Sequence, residues 1–242
     1  MASRKKATTK RSVRTGVNIK TDLVGLTLKE IKPITLAQKD VFDSYGEGYN
    51  ILLHGSSGTG KSYIAIYLAL RDLIKDPLKY EKIIIVRSAV ASRDIGFLPG
   101  NLKEKMMVYE EPYVEIFKEM FERGDAYDIL KNKGKIVFSS SSYLRGITFR
   151  NSIVIVDEAQ NLSQSETNTI LTRIGHNCKV FICGDTEQND LVVKKFDTSW
   201  FEPLCKIIYN MECFDMIEFR IEDIVRSEFV KQYLIAKTRT NI

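Results

Sequence analysis

Two short segments of the 242-residue sequence carry side chains in a spacing that suits phosphate chemistry. The first is Gly55-Ser56-Ser57-Gly58-Thr59-Gly60-Lys61-Ser62, a complete GxxxxGK[ST] pattern. Glycines let the backbone curl so that successive N–H groups face one concavity, and a helix opening at the end of the loop adds its dipole. A polyphosphate then finds donors without a dense basic pocket. In this pattern Lys61 reaches the β and γ phosphates, and Ser62 offers a hydroxyl to a Mg2+ bridging the same oxygens. The spacing is that of a P-loop, which needs an apolar strand before it and a helix after it. The flanking runs Tyr49–His54 and Tyr63–Leu70 read as those two elements.

The second segment is Asp157-Glu158-Ala159-Gln160, about 95 residues further on. It follows the apolar run Ser152–Val156. A parallel strand buried on both faces delivers its last residues to the sheet edge where the P-loop also lies. Asp157 is therefore expected to face the Mg2+, through water, and Glu158 to orient or deprotonate an attacking water. A second acid beside the metal-facing one suits hydrolysis. A nucleotide or small-molecule kinase must exclude water, and would instead carry an arginine-rich lid and an acceptor pocket.

The elements that must hold these segments are legible as short apolar runs. Tyr49–His54, Lys82–Arg87, Lys135–Phe138, Ser152–Val156, Lys179–Cys183 and Met216–Phe219 read as strands. Most do not alternate, as expected of strands covered on both faces in a parallel sheet. Helices are expected over Lys61–Lys75, part of Leu102–Arg123, Ser163–Ile174 and Ile221–Ala236, with Ser163 and Glu166 spaced as a capping box. The expected fold is α/β, a three-layer P-loop NTPase of RecA-like type with a mainly parallel sheet flanked by helices, and one domain over residues 17–242.

Composition narrows the classes. With 44% hydrophobic and 28% charged residues the chain is not disordered throughout. No run approaches the roughly 18 apolar residues of a membrane span, and Met1-Ala-Ser-Arg-Lys-Lys6 lacks the apolar core of a secretory signal. A soluble cytoplasmic protein with no membrane partner is expected. The four cysteines form no CxxC pair, and His54 and His176 have no zinc-ligand spacing, so reduced thiols are the expectation. The net charge of +5 is misleading, because Arg4, Lys5, Lys6, Lys10, Arg11 and Arg14 lie in the first 16 residues with no acid among them. That basic tail is expected to be disordered, either attracting phosphates or aiding solubility.

Further segments resemble motifs of the P-loop ATPases related to superfamily 1 helicases, and specifically the PhoH-like family. They are Pro33–Gln38, Val86–Val90 running on to Gly96–Lys105 with its Gly-Phe-Leu-Pro-Gly, Tyr143–Phe149, Gly184–Gln188 and Asp223–Arg226. The resemblance implies ATP and Mg2+ as ligands, with Gln38 reading the adenine edge and Gln188 sensing the γ-phosphate. It implies that Arg87, Ser88, Arg145 and Thr148 line a path for single-stranded RNA or DNA. Arg226 is implied to stabilise charge on the transferring phosphate. Taken in isolation, Gln38 would be a surface glutamine, the arginines at 87 and 145 helix-end charges, and Arg226 an arginine of an amphipathic helix.

Several relatives join such a module to a nuclease-like or RNA-binding-like domain, and no segment here matches one. The resemblance thus implies an ATP-hydrolysing protein coupled to single-stranded nucleic acid. The alternatives are a nucleotide or small-molecule kinase, or an interaction protein that uses nucleotide structurally. A single core also leads to an expectation about assembly, in which a ring of copies, six by the resemblance, lets Arg226 reach the nucleotide of its neighbour. The competing arrangement keeps Arg226 in cis, on its own site.

Overall fold

Apolar β-branched runs too short for helices pair side by side wherever both faces can be covered, and here they build one parallel sheet. The computed structural model describes residues 22–23, 25–88, 102–141, 144, 146–185 and 200–240. The basic tail, the Gly96–Gly100 motif, Arg145 and Gln188 lie outside the described residues. A small hairpin, β1 (Asp22–Leu23) and β2 (Leu26–Thr27), precedes α1 (Leu36–Glu47) and β3 (Asn50–Gly55). Then follow α2 (Lys61–Lys75), β4 (Lys82–Arg87), α3 (Leu102–Phe121), α4 (Ala126–Asn132) and β5 (Ile136–Ser140). The rest comprises β6 (Ser152–Asp157), α5 (Gln164–Leu171), β7 (Lys179–Cys183), α6 (Phe201–Tyr209), β8 (Phe214–Phe219) and α7 (Glu228–Thr240).

The main sheet has the order β5-β4-β6-β7-β3-β8, and every pair in it is parallel. Alternate residues of each strand feed two separate cores. Ile51, Leu53, Ile83, Ile85, Ile153, Ile155, Phe181 and Cys183 pack on one face with residues of α1 to α4. Leu52, Ile84, Val86, Val154, Val156, Val180 and Ile182 pack on the other with residues of α5 and α6. This is the three-layer, RecA-like α/β arrangement. Because β7 lies between β3 and β6, its last residues stand between the loop after β3 and the acids after β6. No described helix is long and apolar enough to cross a membrane.

The six strands coincide with the expected runs to within two residues. The last helix does not. Ile221–Asp223 forms a short 3-10 turn closed by Arg220 and Asp223, and the chain leaves helical geometry until α7 opens at Glu228. The Val225 N–H, which a continuous helix would spend internally, donates instead to Gly58 O at 3.1 Å. Arg226 therefore sits in a loop against the P-loop rather than in a helix.

Candidate nucleotide site

The loop after β3 is shaped by close backbone approach. Gly55 has φ 110°, and a Cβ there would lie 2.0 Å from Phe219 O of β8. Only glycine fits, and Ser56 N then donates to that same Phe219 O at 2.8 Å. Thr59, fully buried, donates its hydroxyl to Ser56 O at 3.0 Å and closes the loop on itself. Lys61 Nζ donates to Gly55 O at 2.9 Å and to Ser56 O at 2.6 Å, so its ammonium is folded into the concavity. Burial pushes the Lys61 pKa down, while Asp185, Cys183, Glu158 and Asp157 pull the other way. α2 opens directly behind it and buries Ile64 to Leu70 on almost all sides, which anchors the loop in the centre of the molecule.

The two segments flagged in the sequence meet. Ser62 Oγ donates to Asp157 Oδ1 at 2.6 Å across 95 residues of chain. A hydroxyl and a single carboxylate are hard oxygen donors, too few to cage a cation alone but suited to Mg2+ shared with phosphate oxygens and water. Among the described residues no cluster of three His, Cys, Asp or Glu side chains could hold a metal by itself. When bound, Mg2+ would neutralise charge on the β and γ oxygens, and Ser62 and Asp157 are the residues that would hold it.

Glu158 follows in a left-handed conformation, φ 52° and ψ 44°, which is uncommon outside glycine. Burial, followed by the adjacent Asp157, raises the Glu158 pKa, with Arg87 and Gln160 opposing. Gln160, which sequence reasoning passed over, is buried and bridges the site. Its Nε2 donates to Glu158 Oε2 at 2.6 Å and its Oε1 accepts from Asp185 N at 3.0 Å. The second acid is thereby tied to the segment just after β7, three residues before Gln188 in the sequence. Tyr113, also unflagged, donates its hydroxyl to Asp157 Oδ2 at 2.7 Å. Burial above all, then Asp157, holds that phenol protonated well beyond its ordinary range.

Gln38 is buried rather than on the surface. Its Oε1 accepts from Ile34 N at 3.0 Å and its Nε2 donates to Thr59 O at 3.2 Å, so it clamps the segment before α1 onto the P-loop. It shares an open cleft of about 1310 Å³ with Ser57 to Ser62, Asp157, Glu158, Arg87 and Arg226. Arg226 is exposed, and its Cγ lies 3.0 Å from where a Gly58 Cβ would stand. The described chain thus brings Arg226 to its own P-loop.

Of the four residues implied for nucleic acid, three lie among the described residues. Arg87 ends β4 in register with Asp157 and carries its guanidinium 5.8 Å from the Tyr109 ring centroid, inside the nucleotide cleft. Ser88 is buried and stands by Glu166, whose carboxyl it helps to hold in its ionised form. Thr148 is exposed beyond β5, outside that cleft. Arg145 lies outside the described residues. Glu166 is the hub that sequence reasoning saw only as a helix cap. Besides completing the capping box with Ser163, it accepts from the Ser141 hydroxyl at the end of β5. It therefore joins the N-terminus of α5 to the ends of β4 and β5.

These hydrogen bonds outweigh the burial of Glu166 and hold its pKa below the ordinary 4.5. A depressed carboxylate contributes stability above its unfolded-state value and loses it as the pH falls through the folded-state value. Glu166→Gln is expected to cost about 1 to 2 kcal/mol at pH 7, less than a fully buried network would, because the group is half-exposed. Urea unfolding at pH 7 and pH 4 checks this. The gap between variant and wild type should narrow at the lower pH, and a constant gap would show that the charge is immaterial.

The chain is similar to known proteins over most of its length. The family model described as PhoH-like protein matches residues 30–237. The PhoH-like protein of Bacillus subtilis (strain 168) is 32% identical over 214 residues, covering 88% of this chain and 66% of that one. Protein PhoH of Escherichia coli (strain K12) is 32% identical over 188 residues, covering 77% of this chain and 52% of that one. The chain thus spans about half to two-thirds of the length of these relatives. Among solved structures, the large terminase of a thermophilic bacteriophage aligns with a TM-score of 0.49 and 12% identity, over 84% of this chain and 50% of that one. With the P-loop, the paired acids and Arg226 all inside the matched span, the chain belongs to the PhoH-like family.

Proposed function

We propose that this chain hydrolyses ATP with Mg2+ and couples the nucleotide state to single-stranded RNA or DNA. The observation that carries the reading is the Ser62–Asp157 hydrogen bond, with Glu158 held beside it by Gln160. Lys61 and the loop N–H groups bind the phosphates, and Gln38 faces the base from the P-loop side. Glu158, made more basic by burial and by the adjacent Asp157, orients and deprotonates water. Gln188, five residues beyond the end of β7 in the sequence, is assigned to the γ-phosphate. Arg226 serves the nucleotide of its own chain, so a complete phosphate shell does not require the neighbour in a ring.

For nucleic acid, support comes from placement. β4 and β5 are neighbours in the sheet and end side by side, tied together through Glu166 on the same edge as the P-loop. Segments leaving those two strands can sense the nucleotide through Arg87, which is in register with Asp157. The test is ATP turnover with and without poly(U) and poly(dT), at low and high salt. Stimulation by either polymer that fades with salt is expected. Equal rates under all conditions would remove the coupling from the proposal.

A further inference from the structure

The carboxylate that faces the metal is gripped from both sides. Ser62 occupies Oδ1 at 2.6 Å, and the Tyr113 hydroxyl occupies Oδ2 at 2.7 Å. Tyr113 comes from neither motif. It lies in α3, immediately after Pro112, which interrupts the hydrogen-bond ladder of that helix. Its side chain is 1% exposed, and its ring is seated against Phe138 of β5 with centroids 5.6 Å apart. A buried phenol must find an acceptor, and this one could be satisfied by any carbonyl; it is spent on Asp157 instead.

We propose that Tyr113 is a positioning residue for the magnesium site, fixing the plane of the Asp157 carboxylate so that Oδ1 stays turned toward Ser62 and the phosphates. The proposal rests on the magnesium-nucleotide reading of the cleft. Two donors on the two oxygens of one carboxylate remove its freedom to rotate, and preorganised ligands bind a cation without first losing that freedom. The bond from Tyr113 leaves Ser62 free to keep its proton on Oδ1 while offering a lone pair to the cation. A tyrosine that merely filled the core would affect stability and nothing else.

The experiment is calorimetric titration with the β,γ-imido analogue of ATP, first in EDTA and then across a Mg2+ series. In Tyr113→Phe, which keeps the packed ring, affinity in EDTA should stay within about twofold of wild type. The Mg2+ concentration giving half of the affinity gain should rise about 10-fold or more, the loss expected when an outer partner of a metal ligand is removed. In an Asp157→Asn background the same substitution should shift nothing further. An unchanged or lower Mg2+ midpoint, or additive shifts in the double variant, would overturn the proposal. A second readout leaves the fold nearly intact: 3-fluorotyrosine at position 113 should show a fluorine shift on adding Mg2+ to the analogue-bound protein, and no shift would count against it. A wild type whose nucleotide affinity ignores Mg2+ would instead sink the metal reading of the cleft itself.

Discussion

Lys61→Ala is expected to abolish measurable ATP turnover, a loss of about 10³-fold or more. Removing one preorganised donor from a developing phosphate charge costs about 3 to 4 kcal/mol in a water-poor site, and Lys61 contributes a full charge as well as donors. The structure adds a second reason. The ammonium is bonded to Gly55 O and Ser56 O, so its removal leaves two carbonyls facing the concavity where phosphates must bind. Nucleotide affinity should therefore fall together with turnover. Stability should change little, because the two lost hydrogen bonds are offset by relief of a buried ammonium whose pKa is already pushed down. Phosphate release, nucleotide titration and a thermal melt on one preparation check all three. Turnover near the wild-type rate would remove the P-loop from the mechanism.

Glu158→Gln should separate binding from chemistry. Turnover is expected to fall about 10²-fold or more, the contribution of a positioned general base, while nucleotide affinity stays within a few-fold. The amide can still accept from Gln160, so the link to Asp185 survives. The sign of the pKa shift adds a pH signature. A carboxyl raised above its ordinary 4.5 favours folding below that value and penalises it as the pH rises through the folded-state value. The glutamine variant, free of that penalty, should melt at a higher temperature than wild type at pH 7. The acid limb of wild-type turnover should lie above pH 4.5 and be absent from the residual activity of the variant. Collapse of nucleotide binding in this variant would make Glu158 a structural residue.

The strands and the two motifs were legible for a shared reason: each depends on residues adjacent in sequence. The Lys82–Arg87 and Ser152–Asp157 strands are apolar without alternation because Ile83 and Ile84, or Ile153 and Val154, enter opposite cores. α1 gave a weaker signal, since its buried Ala37, Gln38, Val41 and Tyr45 are interspersed with Lys39, Asp40, Asp43 and Ser44, and it carries Gly46. α6 carries Pro203 in its first turn, where proline is tolerated but where it reads as a break. The run Ile221 to Ala236 has helical spacing, yet the pairing of Val225 with Gly58 across the fold takes precedence. Long-range pairing of this kind leaves no local trace. The same holds for Tyr113, Gln160 and Glu166, whose roles arise from partners 44, 25 and 25 residues away.

Phosphate release from ATP by the wild-type chain, with Mg2+ and with EDTA, tests the central claim most directly when Glu158→Gln is run beside it. The account predicts release that requires Mg2+, falls about 10²-fold in the variant, and is accompanied by nucleotide binding in both proteins. Tight Mg2+-dependent binding by the wild type with no phosphate released, whether single-stranded RNA or DNA is present or not, would contradict it.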